Sequence, residues 1–303
     1  MRSRILSAVS GALFFLVLVA CAGGSVEQPA AARGPGPRLQ WPPPRLDRAL
    51  TVRVDARHRE LHLDSTRDYV VKLPRAALRV KGGLVIDGGH NVVLVGGEIQ
   101  IPPSLPSASA EDRRGLYLEN QTGTVHVEGL LIRGRDLSEG INLSEGAETV
   151  VQLENIRVEN VHARDTEHWS DNHPDVVQTW AGPAELRVDR LTGSTDYQGF
   201  FLAPTQFGGV DSRLFDLRHV NLRGTYPCTC ILLWISGGSP LSLRDVWLQP
   251  NRRQTLARSV WPAADPRWAG LRAGKPPGGD FVPRRRVGAG YRSPDYLPVS
   301  ARP

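Results

Sequence analysis

The chain has 303 residues, enough for one large domain or two small ones. With 31 Gly and 24 Pro it holds too many breakers for long helices, and short strands joined by turns fit better. The formal charge of +6 is uneven: residues 251–303 carry 11 Lys/Arg against 3 Asp/Glu, whereas residues 22–250 carry 24 against 28. The basic balance therefore belongs to the tail, and the centre lacks the basic patches interleaved with aromatics that a nucleic-acid partner requires.

Residues 1–21 read as an export signal. Arg2 and Arg4 precede the apolar run Leu13-Phe14-Phe15-Leu16-Val17-Leu18-Val19, which is short for a membrane span. The run ends in Leu18-Val19-Ala20-Cys21, which resembles the lipobox of bacterial lipoproteins. That resemblance implies diacylation of Cys21, cleavage before it and acylation of the new amino terminus. With Ala22 rather than Asp after the cysteine, it also implies the outer membrane where the cell has two. Each buried CH₂ contributes about 0.8 kcal/mol, so several chains make a lasting anchor, and the membrane is the expected partner of this end. Residues 22–45, rich in Gly, Ala, Pro and Arg, read as a tether partly extended by its prolines.

From Leu50 onward the pattern is alternation without helical periodicity. One strand type recurs as Val93-Leu94-Val95, Val125-His126-Val127, Val151-Gln152-Leu153, Leu186-Arg187-Val188, Phe215-Asp216-Leu217 and Leu241-Ser242-Leu243, at intervals of 32, 26, 35, 29 and 26 residues. Most continue into a second apolar pair, such as Leu130/Ile132 or Ile156/Val158. A third type lies between them: Leu116-Tyr117-Leu118, Ile141-Asn142-Leu143, Val176-Val177-Gln178, Phe200-Phe201-Leu202 and Ile231-Leu232-Leu233. Three short strands per turn, with no helix between, predict a coil that stacks on itself, because no coil alone can bury a core. A sandwich would need hairpin signals between paired strands, and a propeller a longer period with four strands per blade.

This pattern resembles the right-handed parallel β-helix of the pectin-lyase-like superfamily over about residues 84–250. The expected fold is all-β: a right-handed parallel β-helix over residues 46–250, with residues 46–82 as an N-terminal cap. The basic tail, 251–303, loses the repeat but keeps Trp261, Trp268, Phe281, Tyr291 and Tyr296, so it is expected to dock on the helix. The predicted track is an outward ladder of Tyr117, Asn142, Val177, Phe201 and Leu232. Cys228 and Cys230 fit either a strained bridge in an oxidising compartment or two buried thiols, and a zinc site would need further ligands.

Candidate chemistry gathers in two turns that lead into third-type strands. One, Ala163 to Pro174, holds Arg164, Asp165, Glu167, His168, Trp169, Asp171 and His173; the other holds Asp196, Tyr197 and Gln198. Aligning Val176 with Phe200 makes His173 and Tyr197 neighbours in the stack. It also sets Asp175 between Gly140 and Gly199, and puts Gln178 where sister strands have Leu. Three functions compete for this face, all with a polysaccharide as partner. In a lyase, as the resemblance implies, His173 or Tyr197 is the base and Asp175, Asp171 or Asp196 holds a cation, with Ca²⁺ as the cofactor the resemblance suggests. A hydrolase pairs Asp175 with Asp171 or Asp196. A binding, adhesion or structural protein uses Trp169, Trp180 and Tyr197 as sugar platforms, guided by Gln178 and Gln198. Against all three stands the fact that Asp, Asn and His in turns often bond their own backbone. His168 and His173 are not spaced as a known metal pair, and no metal ligand set is assigned.

Overall fold

The computed structural model describes residues 38–105, 107–164, 174–225 and 230–295. Cys21, His168, Trp169, Asp171, His173 and Cys228 lie outside the described residues. Apart from short 3-10 turns such as Glu111–Arg113 and Pro266–Gly270, the described chain has no helix, and none is long and apolar enough to cross a membrane. It forms two long sheets of twelve and eight strands among the described residues. Every pairing is parallel, and the chain alternates between the sheets so that each new strand lands beside the one laid down a rung earlier. This arrangement is compatible with a parallel solenoid.

Apolar side chains stack in columns between the sheets. On the second sheet Leu84, Leu116, Ile141, Val177, Phe200, Leu233 and Val260 are successive register partners, and all are buried. On the first, Val125, Val151, Leu186, Phe215 and Leu241 align as the repeat predicts. At the N-terminal end of that column it is Val92, not Val93, that pairs with Val125. Each fully buried Val, Leu, Ile or Phe contributes about 1.5–3 kcal/mol, and only the stack as a whole removes these columns from water.

Val150–Val161 (which has a further left-handed residue, Asn160, near its end), Glu185–Thr195, Leu214–Gly224 and Leu241–Gln249 each bend in mid-strand at a left-handed residue: Asn155 (φ 55°), Arg190 (56°), His219 (49°) and Asp245 (57°). These four are consecutive in register, and on the two preceding rungs the column holds Gly129 (68°) and Gly96 (67°). The bend divides the first sheet into two arms, which with the second sheet makes three strand segments per turn. A left-handed L-residue costs about 1–2 kcal/mol, so the bend persists because the packed arms on either side require it.

Residues 46–82 supply the first strands of both sheets. Leu50–Arg53 and Tyr69–Lys72 open the first sheet and Glu60–Leu63 opens the second. At the other end the repeat outlasts residue 250, with Val260–Trp261 joining the second sheet and Leu271–Ala273 the first. The tail that follows does not take the expected track on the second sheet. It runs back along the second arm of the first sheet, each contact a rung nearer the N-terminus. Gly274 N bonds Leu248 O (2.8 Å) and Phe281 N bonds Asn221 Oδ1 (3.1 Å). Val282 N bonds Thr192 Oγ1 (3.0 Å), and Asp280 pairs with Arg157 (3.0 Å). Val282 and Val287 bury Leu131. The tail ends with Tyr291 flat on Gly129, where its hydroxyl receives Asn155 Nδ2 (3.2 Å). The outward ladder of the second sheet is too polar at its centre to attract this segment, whereas the second arm offers apolar Leu131 and unspent hydrogen-bonding groups.

Beside the bend, Glu128, Glu154 and Asp189 stack on successive rungs, all buried. An N-terminal strap covers them: Trp41 N and Gln40 N donate to Glu154 (2.7 and 3.3 Å), Arg218 lies over the Trp41 ring (4.9 Å), and Leu39 N bonds Asp295 of the tail (3.1 Å). Burial, reinforced by the charge of Asp189 and opposed by the two strap amides, pushes the Glu154 carboxyl up to about 8. Cys230 is buried and disulfide-bonded, to a partner outside the described residues.

Two predictions follow from this packing. A Cβ on Gly129 would stand 2.1 Å from Tyr291 Cδ1 on backbone already at positive φ. Gly129→Ala is therefore expected to lower stability by about 1–3 kcal/mol and to free the tail for cleavage at Arg292, read by urea denaturation and limited proteolysis. The second concerns pH. Folded Glu154 keeps a proton that the unfolded chain has released above the ordinary carboxylate range, so its contribution to stability falls as pH rises from that range to about 8 and is level beyond. Glu154→Gln should flatten that part of the curve of denaturation midpoint against pH; an unchanged slope would contradict the assignment.

Candidate functional site

The candidate face is the outer side of the second sheet, where its strands leave the corner from the first. Asp175–Ala181 is built around that corner. Gly115, Gly140 and Gly199 occupy the corner position on neighbouring rungs, and this rung has Val176 there. Val176 turns inward together with Val177, and both are fully buried. Gly193 makes the room, since a Cβ on it would lie 2.8 Å from Val176 Cγ1. Two successive inward residues shift the phase of everything that follows.

The register therefore corrects three expectations. Val177, not Val176, pairs with Ile141 and Phe200, so Gln178 sits outward between Asn142 and Phe201, and Thr179 takes the inward leucine position. The outward ladder reads Tyr117, Asn142, Gln178, Phe201, Trp234 and Trp261, in place of one with Val177 and Leu232. Gly140 and Gly199 flank Val176, whereas Asp175 lies beside Gln198 and, two residues before the Ile141–Val177 pair, beside Glu139. A one-residue slip exchanges the faces of a strand. It also places Tyr197 opposite Pro174, whose carbonyl accepts from Gln198 N (3.2 Å).

Just outside the corner lies the row Arg114, Glu139, Asp175 and Gln198. Arg114 Nε donates to Glu139 Oε2 (2.5 Å), and that oxygen also accepts from Asn142 Nδ2 (2.9 Å). A chain of amides continues along the ladder, weakly from Asn142 to Gln178 (3.5 Å) and from Gln178 to Gln206 (3.4 Å). Glu139, Asn142, Asp175, Gln178 and Gln198 are all buried although they face away from the core. On this face the acceptor Asn142 Oδ1 and the donor Trp180 Nε1 are buried with no hydrogen-bond partner among the described residues, as are a few side-chain oxygens elsewhere, such as Gln121 Oε1. Leaving such a group unpaired costs about 1–3 kcal/mol.

Aromatic rings border this polar centre on both sides. Trp180 packs against Tyr117 (5.2 Å) and Phe207 (5.6 Å), with the Arg114 guanidinium 4.4 Å from its ring. On later rungs Phe201, Trp234 and Trp261 form a row with centroids 5.0 and 5.7 Å apart. Phe207 and Trp261 are 65% and 50% exposed, so each row runs out to solvent.

Of the residues expected to act, Asp175, Gln178, Trp180, Tyr197 and Gln198 lie on or beside this face. Burial, and after it the charge of Asp175, pushes the Tyr197 phenol up, so it stays protonated at neutral pH and is suited to donate rather than to act as a base. Asp196 has a structural task. Its carboxylate receives His162 Nδ1 and the Ala163 amide (2.8 Å), which fixes the turn. Arg164 likewise ties Asp136 (2.9 Å) to the carbonyl of Ser104 (2.9 Å). Glu139, Asn142, Arg114 and Gln206 were missed by the sequence reading; aligning Gly140 with Val176 at the corner would have put Glu139 beside Asp175. Among the described residues no group of three or more His, Cys, Asp or Glu is arranged to hold a metal ion. Of the carboxylates expected to hold Ca²⁺, Asp196 is already engaged by His162 and Ala163 and Asp171 lies outside the described residues, so the described residues do not make up such a site, and no step is routed through one.

No protein-family model matches the chain, and no curated protein or solved structure matches it. Function has to be argued from the face itself.

Arg114→Ala would strand the Glu139 carboxylate in a buried setting and is expected to cost about 3–5 kcal/mol in urea denaturation. Adding Glu139→Gln should recover much of that loss. If the double variant is as unstable as the single one, the pair does not organise this face.

Proposed function

We propose that this chain is an exported cell-envelope lipoprotein, anchored through Cys21 and built as a right-handed parallel β-helix. The outer face of its second sheet binds a polysaccharide and hydrolyses it. The observation that carries the reading is the combination at Trp180 and Asn142: a buried donor and a buried acceptor, both without a partner among the described residues, where two aromatic rows border a polar centre. Sugars have apolar ring faces edged by hydroxyls, so they suit a surface that offers rings on both sides and single polar atoms between.

Glu139 and Asp175 supply the chemistry. Neighbouring strands are about 4.8 Å apart, and carboxyl groups about 5–5.5 Å apart are the arrangement of a retaining glycosidase. One gives its proton to the leaving oxygen while the other attacks the anomeric carbon; water then cleaves the glycosyl ester and returns a proton to the first, while the protonated Tyr197 hydroxyl holds a sugar oxygen. Hydrolysis is preferred to β-elimination because the phenol is biased away from the base role and because Arg114, the cation on this face, is already paired with Glu139. A second reading is favoured by the amide chain from Asn142 to Gln206: the face binds glycan without cleaving it, in an adhesive or structural role.

A panel of polysaccharides incubated with the protein tests both readings. Hydrolysis should release reducing ends with no absorbance at about 235 nm, roughly the window of an unsaturated uronate, and Asp175→Asn should lower the rate by about a thousandfold. Trp180→Ala should weaken binding in either case. Binding without turnover leaves the second reading standing. No binding to any glycan, or binding indifferent to Trp180→Ala, removes both.

A further inference from the structure

At the corner that leads from the first sheet to the second, beyond Tyr197, the surface becomes basic and concave. Arg223, at the exposed end of Leu214–Gly224, is the register partner of Ser194 on one side and Gln249 on the other. The next residue but one, Thr225, is tied back to the preceding rung through its amide and Thr195 O (2.7 Å). On the following rung Asn251 Oδ1 accepts from Arg253 N (2.8 Å), a tight turn that presents Arg252 and Arg253. Arg223, Arg252 and Arg253 line one cavity of about 600 Å³, together with the polar side chains of Thr225, Gln249 and Asn251 and with no carboxylate. A second basin of about 170 Å³ shares Arg223 and Gln249 with the first and adds Lys275 and the Arg157–Asp280 pair.

The two basins thus gather five cationic side chains around one carboxylate, and that carboxylate is 3.0 Å from Arg157. Among the described residues, Arg223, Arg252 and Lys275 have no carboxylate within 4.0 Å. Like charges held together in a concavity repel one another and focus a positive potential that draws in anions. Guanidinium forks match the oxygens of a phosphoryl group in pairs, and the Gln249 amide offers a further donor. Among the described residues, the lining of both basins is polar and cationic with no aromatic ring.

We propose that this corner binds a ligand with two phosphoryl groups, one in each basin and Arg223 between them. The site is separate from the polar face of the second sheet and does not depend on the sugar-binding reading. Its phosphoryl groups could belong to a soluble phosphorylated compound or to a lipid headgroup, and the chemistry of recognition is the same.

The test uses the full-length protein with inorganic pyrophosphate as probe. Pyrophosphate should raise the melting temperature in a concentration-dependent way, and sodium chloride at matched ionic strength should not. The exposed pair of changes Arg223→Ser and Arg252→Ser should leave the fold and the unliganded melting temperature intact. It should weaken pyrophosphate binding by titration calorimetry on the order of tenfold or more. Equal affinity in the double variant, or an equal melting shift with chloride, would overturn the proposal. Sedimentation with phosphatidylcholine vesicles, with or without an equimolar amount of cardiolipin, whose headgroup carries two phosphoryl groups, separates the sources, since any lipid anchor contributes equally to both. Extra binding to the acidic vesicles that the double variant loses assigns a headgroup. Pyrophosphate binding without it assigns a soluble ligand.

Discussion

The left-handed column at the bend of the first sheet is the constraint on which the rest depends. Six successive rungs turn at Gly96, Gly129, Asn155, Arg190, His219 and Asp245, and each turn lets one continuous strand serve two arms. Glycine adopts this backbone freely, whereas Arg and His do so against their preference. The column therefore reflects the demand of the apolar stacks on both sides, which bury nothing unless every rung bends at the same place. Whatever the length of the loop that follows the bend, each rung then delivers a strand to the second sheet in register, and with it the row that holds Glu139 and Asp175.

The same bend explains why the strap at Gln40 and Trp41 and the tail at Tyr291 both come to rest there. Small residues at Gly96 and Gly129 leave a shallow seat into which the Tyr291 ring fits, and the acidic ladder beside it accepts the amides of Gln40 and Trp41. Burial of the ladder under the strap keeps Glu154 protonated at pH values where a solvated carboxyl has lost its proton. The second sheet's outer face stays clear of this tail, and it is there that polar side chains are buried facing away from the core. A fold held together by apolar columns has no packing reason to bury Asp175, Gln178 and Asn142 on that side, which is why function is sought there.

Much of the architecture was legible in the sequence because stacking imposes a period. The columns through Val125, Val151, Leu186, Phe215 and Leu241 follow directly from the spacing of apolar pairs. What was not legible was phase. Val176 and Val177 are both apolar, and alternation alone cannot say which of them begins the strand; the answer lies in Gly193 on another strand, whose missing side chain admits Val176. From that one-residue ambiguity came the misplacement of Gln178, the wrong glycine neighbours for Asp175 and the oversight of Glu139. The tail's path was misjudged for a related reason, since its aromatic residues announce docking but the seat for Tyr291 is made of glycines, which carry no side-chain signal.

The central claim is that the face carrying Glu139, Asp175 and Trp180 receives a sugar. A crystal structure of the protein soaked with an oligosaccharide from the panel that binds tests it most directly. The account predicts a glycan lying across the rungs between Trp180 and Trp234, with one hydroxyl on Asn142 Oδ1, another taking the Trp180 Nε1 proton, and a glycosidic oxygen near Asp175. A glycan ordered on a different face, with Asn142 and Trp180 satisfied from within the protein, would contradict it.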